Sequence, residues 1–197
     1  MSERRTEILD AALRVLAAQG MRGLTHRAVD AEAGIATGST SYYFRSRSAL
    51  VAGCVERLLE IDMQSEVPLV DPRERPPGDL AAVLAGMAVV RVTTLRHLTV
   101  ARHELSLAAL RDPELAAALR TGGDALRTLL AGVLRELGAT DPDAAASEVA
   151  AALDGMMFTA LLRGPHEPGA LIERIRPACE RVLLAQPGVV TPPSPAG

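Results

Sequence analysis

The sequence predicts an all-α fold, and three observations carry that expectation. Apolar residues recur at three- and four-residue spacing through most of the chain. No segment alternates apolar and polar residues as a half-buried strand does. The breaks between periodic segments carry helix punctuation, with glycines at the ends and Asp-Pro pairs at two of the starts. At 197 residues the chain can bury a core as one compact domain, or as a small domain fused to a larger one.

From Thr6 to Gly20 the set Ile8, Leu9, Ala12, Leu13 and Leu16 has helical period, and Gly20 reads as the stop. Thr25 is a natural N-cap for a second helix, with Leu24 and Val29 at the two positions of a hydrophobic staple. Gly34 ends that helix after two turns. Thr37 is expected to cap a third short helix through Phe44, and Ser46 a fourth running towards Gln64. The buried stripe of the fourth is Leu50, Val51, Cys54, Val55, Leu58 and Ile61. Two short helices joined by "AGIAT", with Gly34 for the tight turn and Ile35 beneath it, have the spacing of a helix-turn-helix.

The stretch "VPLVDPRERPPG" breaks the period with four prolines and reads as a linker. A long helical region follows from Asp79 to about Leu110, with a break near Thr93-Thr94. Asp112-Pro113 and Asp141-Pro142 each pair an N-cap Asp with Pro at the first helical position. A last helix from Pro168 towards Gln186 contains Pro177, which should kink it. The division expected is 1–47 for a three-helix head, 48–186 for a helical bundle, and 187–197 for a disordered tail, the helix from 46 to 64 connecting head and body.

Charge places some function classes ahead of others. The net charge is −3, yet residues 1–47 hold seven Arg against five acids and the remainder fourteen Arg against nineteen. A slightly basic head sits on an acidic body. Cys54 and Cys179 have no metal spacing, so a reduced, cytoplasmic protein is expected. No 18-residue uncharged apolar run suggests a membrane span. "HELSL" at His103 begins like a zinc-protease motif, but Leu107 stands where the second metal-binding His belongs. No catalytic constellation, metal site or cofactor is expected, and hence no enzyme.

The chain is 2% aromatic, yet "TGSTSYYFRSR" places both its tyrosines beside Phe44, Arg45 and Arg47. A core would take the rings but not the arginines or the hydroxyl run. This is a surface that touches something. "ILDAALRVLAAQG" and "LTHRAVDAEAGIATGSTSYYFRSRSAL" together resemble the DNA-binding head of the TetR family of transcriptional regulators. Tyr43-Phe44 match the aromatic end of the family's recognition helix, and Ser46-Arg47-Ser48-Ala49-Leu50 match the start of its fourth helix with Arg in place of Lys. One position departs: the family often has an aromatic residue where this chain has Ser41.

The resemblance implies that Gly38, Ser39 and Thr40 open a recognition helix in the major groove of double-stranded DNA, with Thr37 at its cap. It also implies that Tyr42, Tyr43 and Arg47 meet phosphates, and that Thr25, His26 and Arg27 approach the flanking backbone. Family members dimerise through their last two long helices. By position and apolarity that role falls to Val149, Leu153, Met156, Met157, Ala160 and Leu161, with Leu171, Ile175 and Val182. An effector pocket would draw on Met87, His97, Arg102, His103, Glu104, Met156 and Phe158. With no Trp and one Phe after the head, it should suit an apolar or amphipathic molecule. Two readings stand: a homodimeric, ligand-responsive repressor on a palindromic operator, or an all-α binding module whose helix-turn-helix no longer engages DNA.

Overall fold

The computed structural model describes residues 3–64, 77–164 and 167–189, with the side chains of 77–79 excepted. Among these residues every regular element is a helix: α1 (Glu3–Gly23), α2 (His26–Ala33), α3 (Ser39–Tyr43), α4 (Arg47–Gln64), α5 (Pro77–Val92), α6 (Arg96–Ala109), α7 (Pro113–Glu136), α8 (Pro142–Leu162) and α9 (Pro168–Leu184). The expected linker lies outside the described residues up to position 76. The break in the long middle region falls at Thr93–Leu95, between α5 and α6.

The caps explain most boundaries. Thr25 Oγ1 accepts from Ala28 N at 3.1 Å, and Gly34 closes α2 in the left-handed region at φ 65°. Ser46 Oγ accepts from Ala49 N, Asp112 Oδ1 from Glu114 N and Leu115 N, and Asp141 Oδ1 from Ala144 N. Gly20 stops the first helical run where its position indicated. Its φ of 65° interrupts α1, and helical residues resume to Gly23. α9 runs from Pro168 to Leu184 with Pro177 inside it.

Packing divides the chain into two units, Met1–Ser65 with Arg96–Gly123, and Glu66–Leu95 with Asp124–Gly197. The first is larger than the head expected at 1–47, because α6 buries Leu98, Ala101 and Leu105 and packs on α1. Its core is Ile8, Leu9, Leu13, Leu16, Leu24, Val29, Phe44, Leu50, Cys54 and Leu58. Helix α4 comes close to this core only because residue 53 is glycine. A Cβ there would lie 2.8 Å from both Leu9 Cδ2 and Phe44 Cε1.

In the second unit α5 packs on α8 and α9 around Ala85, Val89, Leu134, Val149, Leu171, Ile175 and Leu183. The first residues of the expected tail are tied down there. Pro187 O accepts from Thr140 N at 2.8 Å, and Gly138 and Gly188, both at positive φ, let the two backbones approach. Residues 190–197 lie outside the described ones.

Candidate nucleic-acid interface

α3 is five residues long, and its N-cap Gly38 has φ 96° and no capping side chain of its own. Thr37, expected to cap it, is an exposed turn residue instead. The cap comes from α2. Asp30 Oδ2 accepts from Gly38 N at 2.7 Å and Asp30 Oδ1 from Thr40 N at 2.8 Å. Asp30 is only 2% exposed. Burial pushes its carboxyl up, but hydrogen bonds from Thr40 and Gly38, with His26 nearby, outweigh that and hold it below its ordinary value.

Thr40 therefore does not face DNA. It is fully buried against α2, so the expectation that its hydroxyl reads a base edge is corrected. His26 is also employed within the protein. Its Nε2 lies 2.7 Å from Phe44 O, and since a carbonyl only accepts, Nε2 donates. Arg47 is exposed, but its guanidinium donates to Leu24 O at 3.3 Å and to Met21 O, bracing the loop between α1 and α2. Its Nε and one terminal nitrogen are thus engaged within the protein.

The outward set is what remains. Thr25, Arg27, Thr37, Gly38, Tyr42, Tyr43 and Arg45 are exposed, and Ser39 is half-buried with its hydroxyl donated to Ala36 O at 2.6 Å. Tyr42 is 73% exposed and meets the Tyr43 ring edge-on at 5.3 Å, while Phe44 turns inward over Gly53.

Charge sharpens this surface beyond what counting revealed. Three of the four arginines of α1 are neutralised, by Arg4–Glu7, Arg5–Glu56 and Arg14–Glu32 ion pairs. Among the described residues Arg22, Arg27, Arg45 and Arg47 have no carboxylate partner, so the uncompensated positive charge of the head gathers around α2 and α3. Sequence reasoning missed Asp30, and it placed Arg45 on the surface without naming it among the DNA contacts. An acid beside the staple residue Val29, eight residues before an uncapped Gly38, was the available signal for Asp30.

The pocket candidates separate. Arg102 pairs with the buried Asp62 of α4, and Glu104 Oε2 accepts from Met21 N at 3.2 Å beside Gly20. His97 is held below its ordinary value by burial first and Arg14 second, against the pull of Asp10. Arg102 thus fastens α6 to α4, and Glu104 fastens it to α1. His103 is half-buried on the same helix. Met87 and Met156 pack on the core of the other unit, and Phe158 is 46% exposed, so the seven do not form one lining within a unit.

The dimer candidates are sorted as well. Val149, Ala160, Leu171 and Ile175 are buried in the chain's own core, and Leu153, Met156, Met157, Leu161 and Val182 are half-buried against it. The first four have no surface left to offer a partner, which corrects their assignment. What α8 leaves open is another stripe at helical spacing, Ala151, Gly155, Phe158 and Leu162, the last 72% exposed. α8 is long and apolar enough to cross a membrane, with a mean hydropathy of 1.3 over its best window, of which only 22% is buried within the chain.

Comparison with known proteins settles the family. Residues 8–54 match the model of bacterial regulatory proteins of the tetR family, and residues 75–185 match the tetracyclin repressor-like C-terminal domain. The chain belongs to the TetR family. A TetR-family member from Streptomyces coelicolor A3 is 33% identical, with a TM-score of 0.68 over 91% of this chain and 98% of that one. The multidrug binding protein EbrR, solved with proflavin, is 32% identical, with a TM-score of 0.60 over 91% of this chain and 99% of EbrR. A transcriptional regulator from Rhodococcus sp. Rha1 shares the fold at 21% identity, TM-score 0.78, over 98% and 100% of the two chains. No curated protein matches the sequence. As a TetR-family protein this chain is a DNA-binding transcriptional regulator, and α2–α3 is its helix-turn-helix.

Proposed function

We propose that this TetR-family regulator represses transcription as a homodimer on an inverted-repeat operator, and that a small apolar or amphipathic organic molecule releases it. The observation that carries the DNA reading is the outward face of α2 and α3. Gly38 and Ser39 open the recognition helix without bulk, and Tyr42 and Tyr43 flank it. Arg27 and Arg45 stand exposed without acid partners. A groove-entering N-terminal turn with cations and hydroxyls around it is what phosphate positioning and base readout require.

The exposed stripe of α8 supports the homodimer, since two such stripes packed on each other bury an apolar face that one chain leaves open. Met87 and Met156, flexible side chains on the core of their unit, are the candidates to line an effector site. The EbrR complexes with proflavin and ethidium favour an organic effector of that kind. Release is a population shift, so operator DNA must weaken effector affinity by the factor the effector weakens operator affinity.

Selection from randomised duplexes, followed by titration at several salt concentrations, tests the DNA reading. A dyad-symmetric sequence should emerge, with affinity falling linearly in log–log against salt. Retention of no duplex would favour a binding module that has lost DNA recognition. Calorimetry with and without the selected duplex then tests any candidate effector.

A further inference from the structure

Two side chains of α2 reach opposite ends of α3. His26 and Asp30 are four residues apart, so they share one face of α2. Asp30 takes the two N–H groups at the start of α3, from Gly38 and Thr40, and His26 donates to the carbonyl of Phe44 at its end. The signs match the helix: an anion meets the unsatisfied N–H groups at the N-terminus, and a donor meets an unsatisfied carbonyl at the C-terminus.

We propose that His26 and Asp30 are positioning residues that hold the recognition helix by its two ends and thereby set sequence discrimination. The inference rests on the reading of α3 as the recognition helix. A five-residue helix has no stability of its own and takes its orientation from what it is tied to. Its own hydroxyls offer no tie to α2 from the exposed side, since Ser39 and Ser41 donate locally to Ala36 O and Gly38 O. Apart from the buried Phe44 ring and Thr40, the polar ties to α2 fix the axis and rotation of α3, and so decide where Gly38, Ser39 and Tyr42 point.

Arg27 lies on α2 itself and does not depend on these ties. Loosening α3 should therefore damage base readout, which needs precise placement, while phosphate attraction persists. The ratio of specific to non-specific affinity is the readout that a general loss of stability would not move.

The test begins with the duplex that the wild-type protein selects from a random pool and a scrambled duplex of equal length. Asp30→Ala and His26→Ala should lose about tenfold or more on the selected duplex. Both should stay within about twofold on the scrambled one. His26→Gln, which places an amide N–H near the imidazole Nε2–H, should recover most of the loss. In the DNA-free protein, amide exchange at Gly38 and Thr40 should accelerate in Asp30→Ala, and that at Phe44 and its neighbours in His26→Ala but not in His26→Gln. Where Asp30→Ala does not fold, the His26 pair carries the test. Equal losses on both duplexes, His26→Gln no better than His26→Ala, or unchanged exchange would each overturn the proposal. Selection of no duplex by the wild type would instead overturn the reading of α3, while the exchange rates would still judge the ties.

Discussion

Gly53 of α4 faces the edge of the Phe44 ring with no room for a single further carbon: a Cβ would stand 2.8 Å from Phe44 Cε1 and as close to Leu9 Cδ2. Helix propensity alone favours alanine at a mid-helix position by roughly 0.5–1 kcal/mol. Close packing opposes it here, because both neighbours are buried and neither can swing away. Gly53→Ala should therefore destabilise the protein by about 1–3 kcal/mol despite its better propensity. Urea unfolding measures this, and a raised midpoint would show that α4 shifts without cost.

The exposed stripe of α8 predicts where dimers break. Leu162→Glu and Phe158→Glu place a charge on residues that are 72% and 46% exposed in the single chain, so neither should unfold it. Within an apolar contact between two subunits the same charge would be buried without a partner. Sedimentation should move from dimer to monomer with the helical circular dichroism retained. Dimers that survive both substitutions would place the interface elsewhere.

Arg27 and Arg45 should act as phosphate contacts without base preference. Each Arg→Ala change should weaken binding to every duplex alike and reduce the salt slope by about one. Arg47→Ala should differ, because its guanidinium holds the Met21 and Leu24 carbonyls. Its loss should lower thermal stability as well as DNA affinity. A salt-slope change in Arg47→Ala with no change in melting would reverse that assignment.

His97 predicts a pH dependence with a definite sign. Its folded-state value is lowered from 6.5, burial being the first cause. Below the unfolded value the unfolded chain binds the proton more readily, so stability falls as pH drops through 6.5 towards the folded value and is full above it. His97→Gln, neutral throughout, should flatten this part of the profile in unfolding measurements between about pH 7 and pH 5. An unchanged slope would assign the dependence to another group.

Cys54 is fully buried, and burial pushes its thiol up to about 12. The thiolate is the reactive form, so alkylation at neutral pH should wait for unfolding. Rapid labelling of Cys54 in the native protein would contradict this core.

Several caps and stops are decided by residues within four positions of one another, which is why they were legible in the sequence. Thr25, Ser46, Asp112 and Asp141 cap as their spacing indicates, and Gly34 closes α2. The all-α class and the helix-turn-helix followed from the same local chemistry. What lay beyond that reach depended on contacts across the chain. The cap of α3 comes from Asp30 on another helix rather than from Thr37, and Thr40 faces that carboxylate rather than the groove. Periodicity shows that α8 is apolar on more than one face, but not which face its own chain covers. Only the packing of α5, α8 and α9 assigns Val149 and Ala160 to the core and leaves Phe158 and Leu162 outside. Likewise a charge count weighs every arginine equally, while the folded chain neutralises Arg4, Arg5 and Arg14 of α1 and leaves those around the recognition helix uncompensated. Local hydrogen bonding is written in neighbouring residues; burial and charge pairing are set by residues far apart in sequence, and exist only once the helices have packed.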